Sequence, residues 1–212
     1  MDKPTGNALV VFLKYPQPGL VKTRLGKDIG PESAALLYKE LTELILRNTE
    51  AGDYQRFLFY TPQNKKSEIL KWLGENSNLF LQKGNDLGQR LANAFKLVFS
   101  KGAKKVLVIG TDSPVIDREI IQQAFKQLDK FQCVIGPSSD GGYYLLGLGS
   151  ENAKVFEGIN WSTNRVLEQT KQRLKKLEVV FTCLNEEFDI DTRIDLERFL
   201  RGKKSLELTL DK

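Results

Sequence analysis

The sequence predicts an α/β protein, with a mostly parallel sheet covered by helices on both faces. Three observations carry that expectation. Apolar runs alternate with amphipathic stretches from one end of the chain to the other, the pattern of repeated β-α units. Residues 106–109 are apolar throughout, as a central parallel strand covered on both sides must be. No proline- or glycine-rich linker and no internal repeat divides the 212 residues, so a single domain over 1–212 is expected.

The elements follow in order. Residues 8–13 form an unbroken apolar run ending at Lys14 and a Pro/Gly loop, the first strand. Residues 31–50 space Leu37, Leu41, Leu44 and Ile45 at helical intervals, and Pro31 suits a first turn, where its missing N–H is not needed. Residues 56–60 read as a second strand, 69–73 as a short helix and 79–82 as a short strand. Residues 86–101 put Leu91, Phe95, Val98 and Phe99 on one helical face, with Gly102 as the stop. After the 106–109 strand come a helix at 117–128 and strands at 132–136 and 143–148. Residues 163–177 are helical through Val166, Thr170, Leu174 and Leu177; 178–184 is expected as a strong strand and 193–200 as a last helix.

Composition removes several chemistries. The chain has no histidine, which excludes a Ser-His-Asp triad, a Cys-His pair and His-ligated zinc. Its two cysteines, Cys133 and Cys183, are separated and read as buried free thiols in strands, consistent with a reducing, cytoplasmic setting. Any metal must then be a hard cation held by oxygen: Mg²⁺, Mn²⁺ or Ca²⁺. The run at 8–13 is too short for a signal h-region or a bilayer span, so no membrane partner is expected. The net charge of +5 is mild and its lysines and arginines are spread out. That argues against nucleic acid: unspecific surface charge is the first reading and a pocket for a phosphorylated small molecule the second.

In parallel sheets, ligands bind beyond the carboxyl ends of strands, which directs attention to four loops. Residues 14–25 carry Lys14, Lys22, Thr23 and Arg24. In an extended segment Lys22 and Arg24 point the same way and suit a di- or triphosphate; a solvated basic loop is the plain alternative. The P-loop spacing is absent. Thr111-Asp112-Ser113-Pro114 sets a carboxylate just past the most buried strand, placed to hold a divalent cation, although Asp112 or Ser113 capping the next helix competes with that role. Asp189 and Asp191 flank Ile190, so both carboxylates fall on one side of an extended segment and can share a cation with Asp112, while Thr192 and Asp195 resemble a capping box. Asp140, Gly141 and Gly142 offer backbone for close ligand approach but read first as a hairpin turn. Ser162 or Thr163 suits a helix cap, and an exposed Trp161 would shape an acceptor pocket.

Together these segments form an ordered set: K-x-P-x-P-G-x-V-K-T-R-L (14–25), G-N-D-L-G-x-R-L (84–91), G-T-D-S-P (110–114), G-P-x-x-D-G-G-Y-Y (136–144), W-S-T (161–163) and D-I-D-T-x-x-D-L (189–196). The set resembles a bacterial transferase family often encoded near radical-SAM and selenium-related proteins, within the GT-A or nucleotide-diphospho-sugar transferase superfamily. It is more distantly similar to phospholactate-type and molybdenum-cofactor guanylyltransferases. The resemblance implies a three-layer α/β/α GT-A fold with a mostly parallel mixed sheet. It implies a metal, Mg²⁺ or Mn²⁺, on Asp112, Asp189 and Asp191, and a nucleotide on Lys14, Lys22, Thr23, Arg24, Asp86 and Thr111, with Asp112, Lys22 and Arg24 acting in catalysis. Asp140, Gly141, Gly142, Trp161, Ser162 and Thr163 would meet the acceptor. The first loop is less glycine-rich here than in most nucleotidyltransferases.

Two enzymatic readings compete. One moves a nucleoside monophosphate from a triphosphate to a small phosphorylated or acidic acceptor. The other is glycosyl transfer from a nucleotide sugar, with Asp140 as an acceptor base. The basic first loop favours the triphosphate, which brings more negative charge. A non-catalytic nucleotide-binding module is the third reading.

Overall fold

Side-chain alternation along the strands builds two cores on the two faces of one sheet. In the computed structural model, which describes residues 6–74 and 78–210, the strands are β1 (Asn7–Lys14), β2 (Gln55–Thr61), β3 (Leu79–Leu81), β4 (Lys105–Ile109), β5 (Cys133–Pro137), β6 (Tyr143–Leu148) and β7 (Phe181–Cys183). They lie in the order β3-β2-β1-β4-β6-β5-β7. Among the described residues only β6 is reversed: it pairs antiparallel with β4 and β5, and the other pairs are parallel.

The helices are α1 (Thr23–Ile29), α2 (Pro31–Asn48), α3 (Lys66–Leu73), α4 (Leu87–Ser100), α5 (Arg118–Gln127), α6 (Val166–Lys176) and α7 (Arg193–Leu210). Leu9, Val11 and Leu13 of β1 join Ile45 of α2, Ile69 of α3 and Phe125 of α5 in one core. Ala8 and Val10 join Phe95 and Val98 of α4 and Leu174 of α6 in the other. The period-two alternation of β1 thus feeds both helical layers, and the three-layer architecture expected from the sequence is present.

Local chemistry explains where helices begin and end. Pro31 stands at the start of α2, and Gly102, with φ of 95°, follows α4. Asp86 Oδ1 accepts from Gln89 N at 2.8 Å, and Asp117 Oδ1 from Ile120 N at 2.9 Å. Each satisfies one of the orphan N–H groups of a first turn. Asp117→Ala should therefore cost about 1 kcal/mol of stability in a urea titration; an unchanged midpoint would show that the cap contributes nothing.

Several expectations need correction. Helix α1 was not expected, because a seven-residue helix that buries only Leu25 leaves no apolar stripe to read. Helix α5 starts where expected and is capped by Asp117, which leaves Asp112 and Ser113 outside the cap. Helix α6 starts at Val166, after Thr163, and α7 runs on to Leu210. The strand expected at 178–184 shrinks to Phe181–Cys183. Lying at the sheet edge, it leaves Cys183 exposed while Cys133 is buried; burial pushes the Cys133 thiol up. Among the described residues no helix is long and apolar enough to cross a membrane.

Candidate active site

The carboxyl ends of β1, β2 and β4 share one edge of the sheet, and the reversed strand β6 begins there. Three hydrogen-bonded stitches assemble the site at this edge. The first runs through Tyr38 of α2: Lys14 N donates to its hydroxyl at 2.8 Å, and the hydroxyl shares a 2.8 Å hydrogen bond with Thr111 Oγ1. Burial and the nearby Asp112 charge push Tyr38 up to about 12, so it is a neutral anchor joining the loops after β1 and β4.

The second stitch brings the late acidic pair to Asp112. Ser113 Oγ donates to Phe188 O at 2.8 Å, and Ile190 N donates to Asp112 O at 3.0 Å. Ile190 is fully buried with Leu25 and Leu41, which turns its neighbours Asp189 and Asp191 the other way. Thr192 and Asp195 then exchange hydrogen bonds at the start of α7, as a capping box should. Capping and carboxylate presentation therefore coexist.

The third stitch is Lys22. It takes a left-handed conformation (φ 46°) just before α1, and its side chain turns inward. Nζ forms ion pairs with Asp112 and, at 3.1 Å, with Asp191. Desolvation works against the charged ammonium, but the two carboxylates outweigh it and its pKa is raised. The extended first loop expected from the sequence is thus not found. Helix α1 begins at Thr23, so Thr23 and Arg24 are exposed on its first turn while Lys22 is spent on carboxylates.

Asp189 is only half satisfied. Its Oδ2 accepts from Ser138 Oγ at 3.1 Å, while Oδ1 is buried without a partner. Burial, with the negative charges of Asp112 and Asp140, pushes it up to about 7. Among the described residues no three acidic or sulfur groups already surround one point as a metal cage; the ammonium of Lys22 holds the position between Asp112 and Asp191. The donor chemistry nevertheless fits a hard cation: three carboxylates, one ammonium and an orphaned buried oxygen.

Two cavities meet here. The larger, of about 460 Å³, runs from Phe12, Gln82 and Arg90 to Asp112, Ser162 and Asp189. The smaller, of about 220 Å³, is lined by Lys14, Lys22, Thr23, Arg24 and both Asp112 and Asp191. They share Lys14, Tyr38 and Asp112. Thr111 and Asp86 also line the larger one, although an Asp86 oxygen is committed to its cap.

The other expected residues divide. Asp140, Gly141 and Gly142 form the β5–β6 turn, with Gly142 N donating to Asp140 Oδ1 at 2.8 Å. Gly141 (φ 88°) lies so close to the segment before α6 that an added Cβ would sit 2.1 Å from Asn164 O. None of the three lines either cavity; the hairpin reading is the one the geometry bears out. Trp161 is half-buried rather than exposed, packed where a side chain on Gly88 would strike its indole at 2.3 Å. Ser162 reaches the cavity, but Thr163 Oγ1 is tied to Asn160 O at 2.8 Å. The sequence reading missed Tyr38, which looks like one more residue of an amphipathic face, and Gln82, a polar residue at a strand end without a motif.

A family model described as an uncharacterized protein conserved in bacteria (DUF2064) matches residues 45–163. A 2-phospho-L-lactate guanylyltransferase of Methanocaldococcus infernus is 29% identical over 144 residues, 67% of this chain. The chain spans 64% of that protein's length. The protein of the same name from Methanocaldococcus jannaschii is 25% identical over 189 residues, covering 86% of this chain and 78% of its own. A crystal structure from Desulfovibrio desulfuricans G20, provisionally designated a nucleotide-diphospho-sugar transferase, has 32% identity and a TM-score of 0.90 over 94% of this chain and 88% of its own. With its central half matched by the family model and its fold shared almost end to end with that structure, the chain belongs to the DUF2064 family and has the nucleotide-diphospho-sugar transferase fold.

Proposed function

We propose that this protein is a nucleotidyltransferase that moves a nucleoside monophosphate from a triphosphate to a small phosphorylated or acidic acceptor. The observation that carries the proposal is the pair of joined cavities. One has the volume for a nucleoside, and the other is a smaller basic chamber sharing Lys14 and Asp112 with it. Relatives named as guanylyltransferases support the same reading. We also propose a cytoplasmic setting and membership of the branch associated with radical-SAM and selenium-related proteins.

In this reading Lys14 and Arg24 attract the β- and γ-phosphates from the basic chamber. An acceptor oxygen attacks the α-phosphorus, the bond to the α,β-bridging oxygen breaks, and pyrophosphate leaves. Positioning and electrostatics suffice without a covalent intermediate. Lys22 keeps Asp112 and Asp191 together despite their like charges. Asp112, Asp189 and Asp191 are the residues that would hold Mg²⁺ or Mn²⁺, which when bound offsets the charge on the phosphates. Ser162, at the Asp189 end of the larger cavity, is placed to meet the acceptor.

Glycosyl transfer is the second reading, favoured by the designation of the Desulfovibrio structure. Thermal stability with each nucleoside triphosphate and each common nucleotide sugar, with and without Mg²⁺ or Mn²⁺, separates the two. A triphosphate at a hundredfold excess over its dissociation constant should add roughly 2.7 kcal/mol, and only with metal present. Stabilisation confined to a nucleotide sugar would transfer the protein to the second reading, and none with any nucleotide would leave a non-catalytic role.

A further inference from the structure

Gln82 follows β3, and its side-chain amide is committed at one end only. Nε2 donates to the Phe59 carbonyl of β2 at 2.9 Å and to the Leu13 carbonyl of β1 at 3.1 Å. An amide nitrogen has two hydrogens, so both are spent. Flipping the amide would face Oε1 with two carbonyl oxygens, and the geometry therefore fixes which end is which. The backbone N–H is also committed, to Tyr60 O at 2.9 Å. Among the described residues no donor reaches Oε1, which remains a rigid acceptor with two lone pairs. Gln82 lines the 460 Å³ cavity on the side of β1, β2 and β3, across the sheet order from Asp189 near β5 and β6. Arg90 lines that cavity too, and its Nε donates to Gly84 O at 3.1 Å, which leaves its terminal nitrogens available.

We infer that Gln82 is a specificity determinant: its Oε1 selects guanine by accepting from the ring N1–H and the 2-amino group. This rests on the nucleotidyl-transfer reading above, with phosphates toward Asp112 and the base toward β3. Guanine carries two adjacent donors on one edge, which match a carbonyl with two free lone pairs. Adenine presents a lone pair at N1, uracil a single donor between two acceptors, and cytosine a single amino donor. The terminal nitrogens of Arg90 suit guanine O6 and N7, the acceptors an arginine fork fits. The same amide also stitches three strands together, so a purely structural role has to be separated from base reading.

The test is a set of dissociation constants measured by isothermal titration with Mg²⁺ for GTP, ITP, N1-methyl-GTP and ATP, on the wild type and on Gln82→Met. In the wild type, ITP, which lacks the 2-amino group, should bind roughly two- to tenfold more weakly than GTP, the worth of one hydrogen bond. N1-methyl-GTP and ATP should be weaker again. In Gln82→Met the GTP-to-ITP ratio should fall to about one. A wild type blind to the difference overturns the assignment. So does a variant that weakens all four ligands equally while keeping the ratio, since that is the behaviour of a stitch alone. If Gln82→Met does not fold, Gln82→Asn, which keeps an amide but draws its oxygen back by one methylene, takes its place: the same loss of the ratio is expected, and its retention overturns the assignment. Binding of triphosphates without discrimination removes only this inference, whereas binding of none removes the proposed function with it.

Discussion

Asp112→Asn is expected to lower kcat/KM for nucleotidyl transfer by about 10²–10³-fold, the usual cost of removing one group that stabilises developing charge. Asp112 is the carboxylate common to both cavities, and its backbone oxygen holds Ile190 N. The substitution keeps that backbone contact and removes the charge alone. Its side chain is 47% exposed, so the change in stability should stay within about 1 kcal/mol. Pyrophosphate release measured alongside Mn²⁺ binding by electron paramagnetic resonance checks both parts. Full activity in Asp112→Asn would sink the metal and catalytic role together, and unchanged Mn²⁺ affinity with lost activity would limit Asp112 to its pairing with Lys22.

Lys22→Met should do the reverse to stability. It deletes the one buried ammonium between Asp112 and Asp191 and leaves three carboxylates facing one another. Breaking a fully buried pair costs about 3–5 kcal/mol. Here both carboxylates are partly open to solvent, so about 1–3 kcal/mol is the fitting range. Because the deficit is one of positive charge, Mg²⁺ or Mn²⁺ should restore more stability to the variant than it adds to the wild type. Melting curves in chelator and in millimolar metal read this directly. Equal metal responses in the two proteins would mean that the carboxylates do not share a cation-binding space with the lysine.

Much of the fold was legible because its signals are periodic. The alternation of β1 between two cores and the stripes of α2 and α4 follow from residue spacing alone. The acidic pair was also legible, since burial of Ile190 forces Asp189 and Asp191 to a common side. What escaped was set by single backbone conformations and by tertiary contact. One left-handed residue turns Lys22 inward and starts α1, and nothing in a Lys-x-Arg spacing marks it. An exposed Trp161 was one reading of the W-S-T segment, yet the missing side chain of Gly88 makes room for its indole. Strand β7 looked long because Val179, Val180, Phe181 and Leu184 are apolar, but its register with β5 covers only Phe181–Cys183.

The single reversed strand separates the rims of the sheet by tolerance to change. At one rim lie the loops after β1 and β4, the β5–β6 turn and the segment bearing Asp189. At the other lie the turns near Asp53, residues 102–104, residues 131–132 and residues 149–151, where Lys104 N meets Gly6 O and Gly149 N meets Gln132 O. Added length on this second rim need not disturb the first. Affinity tags, reporter domains or a circular-permutation break belong there, and a library diversified on the opposite rim would alter ligand choice without touching the two cores.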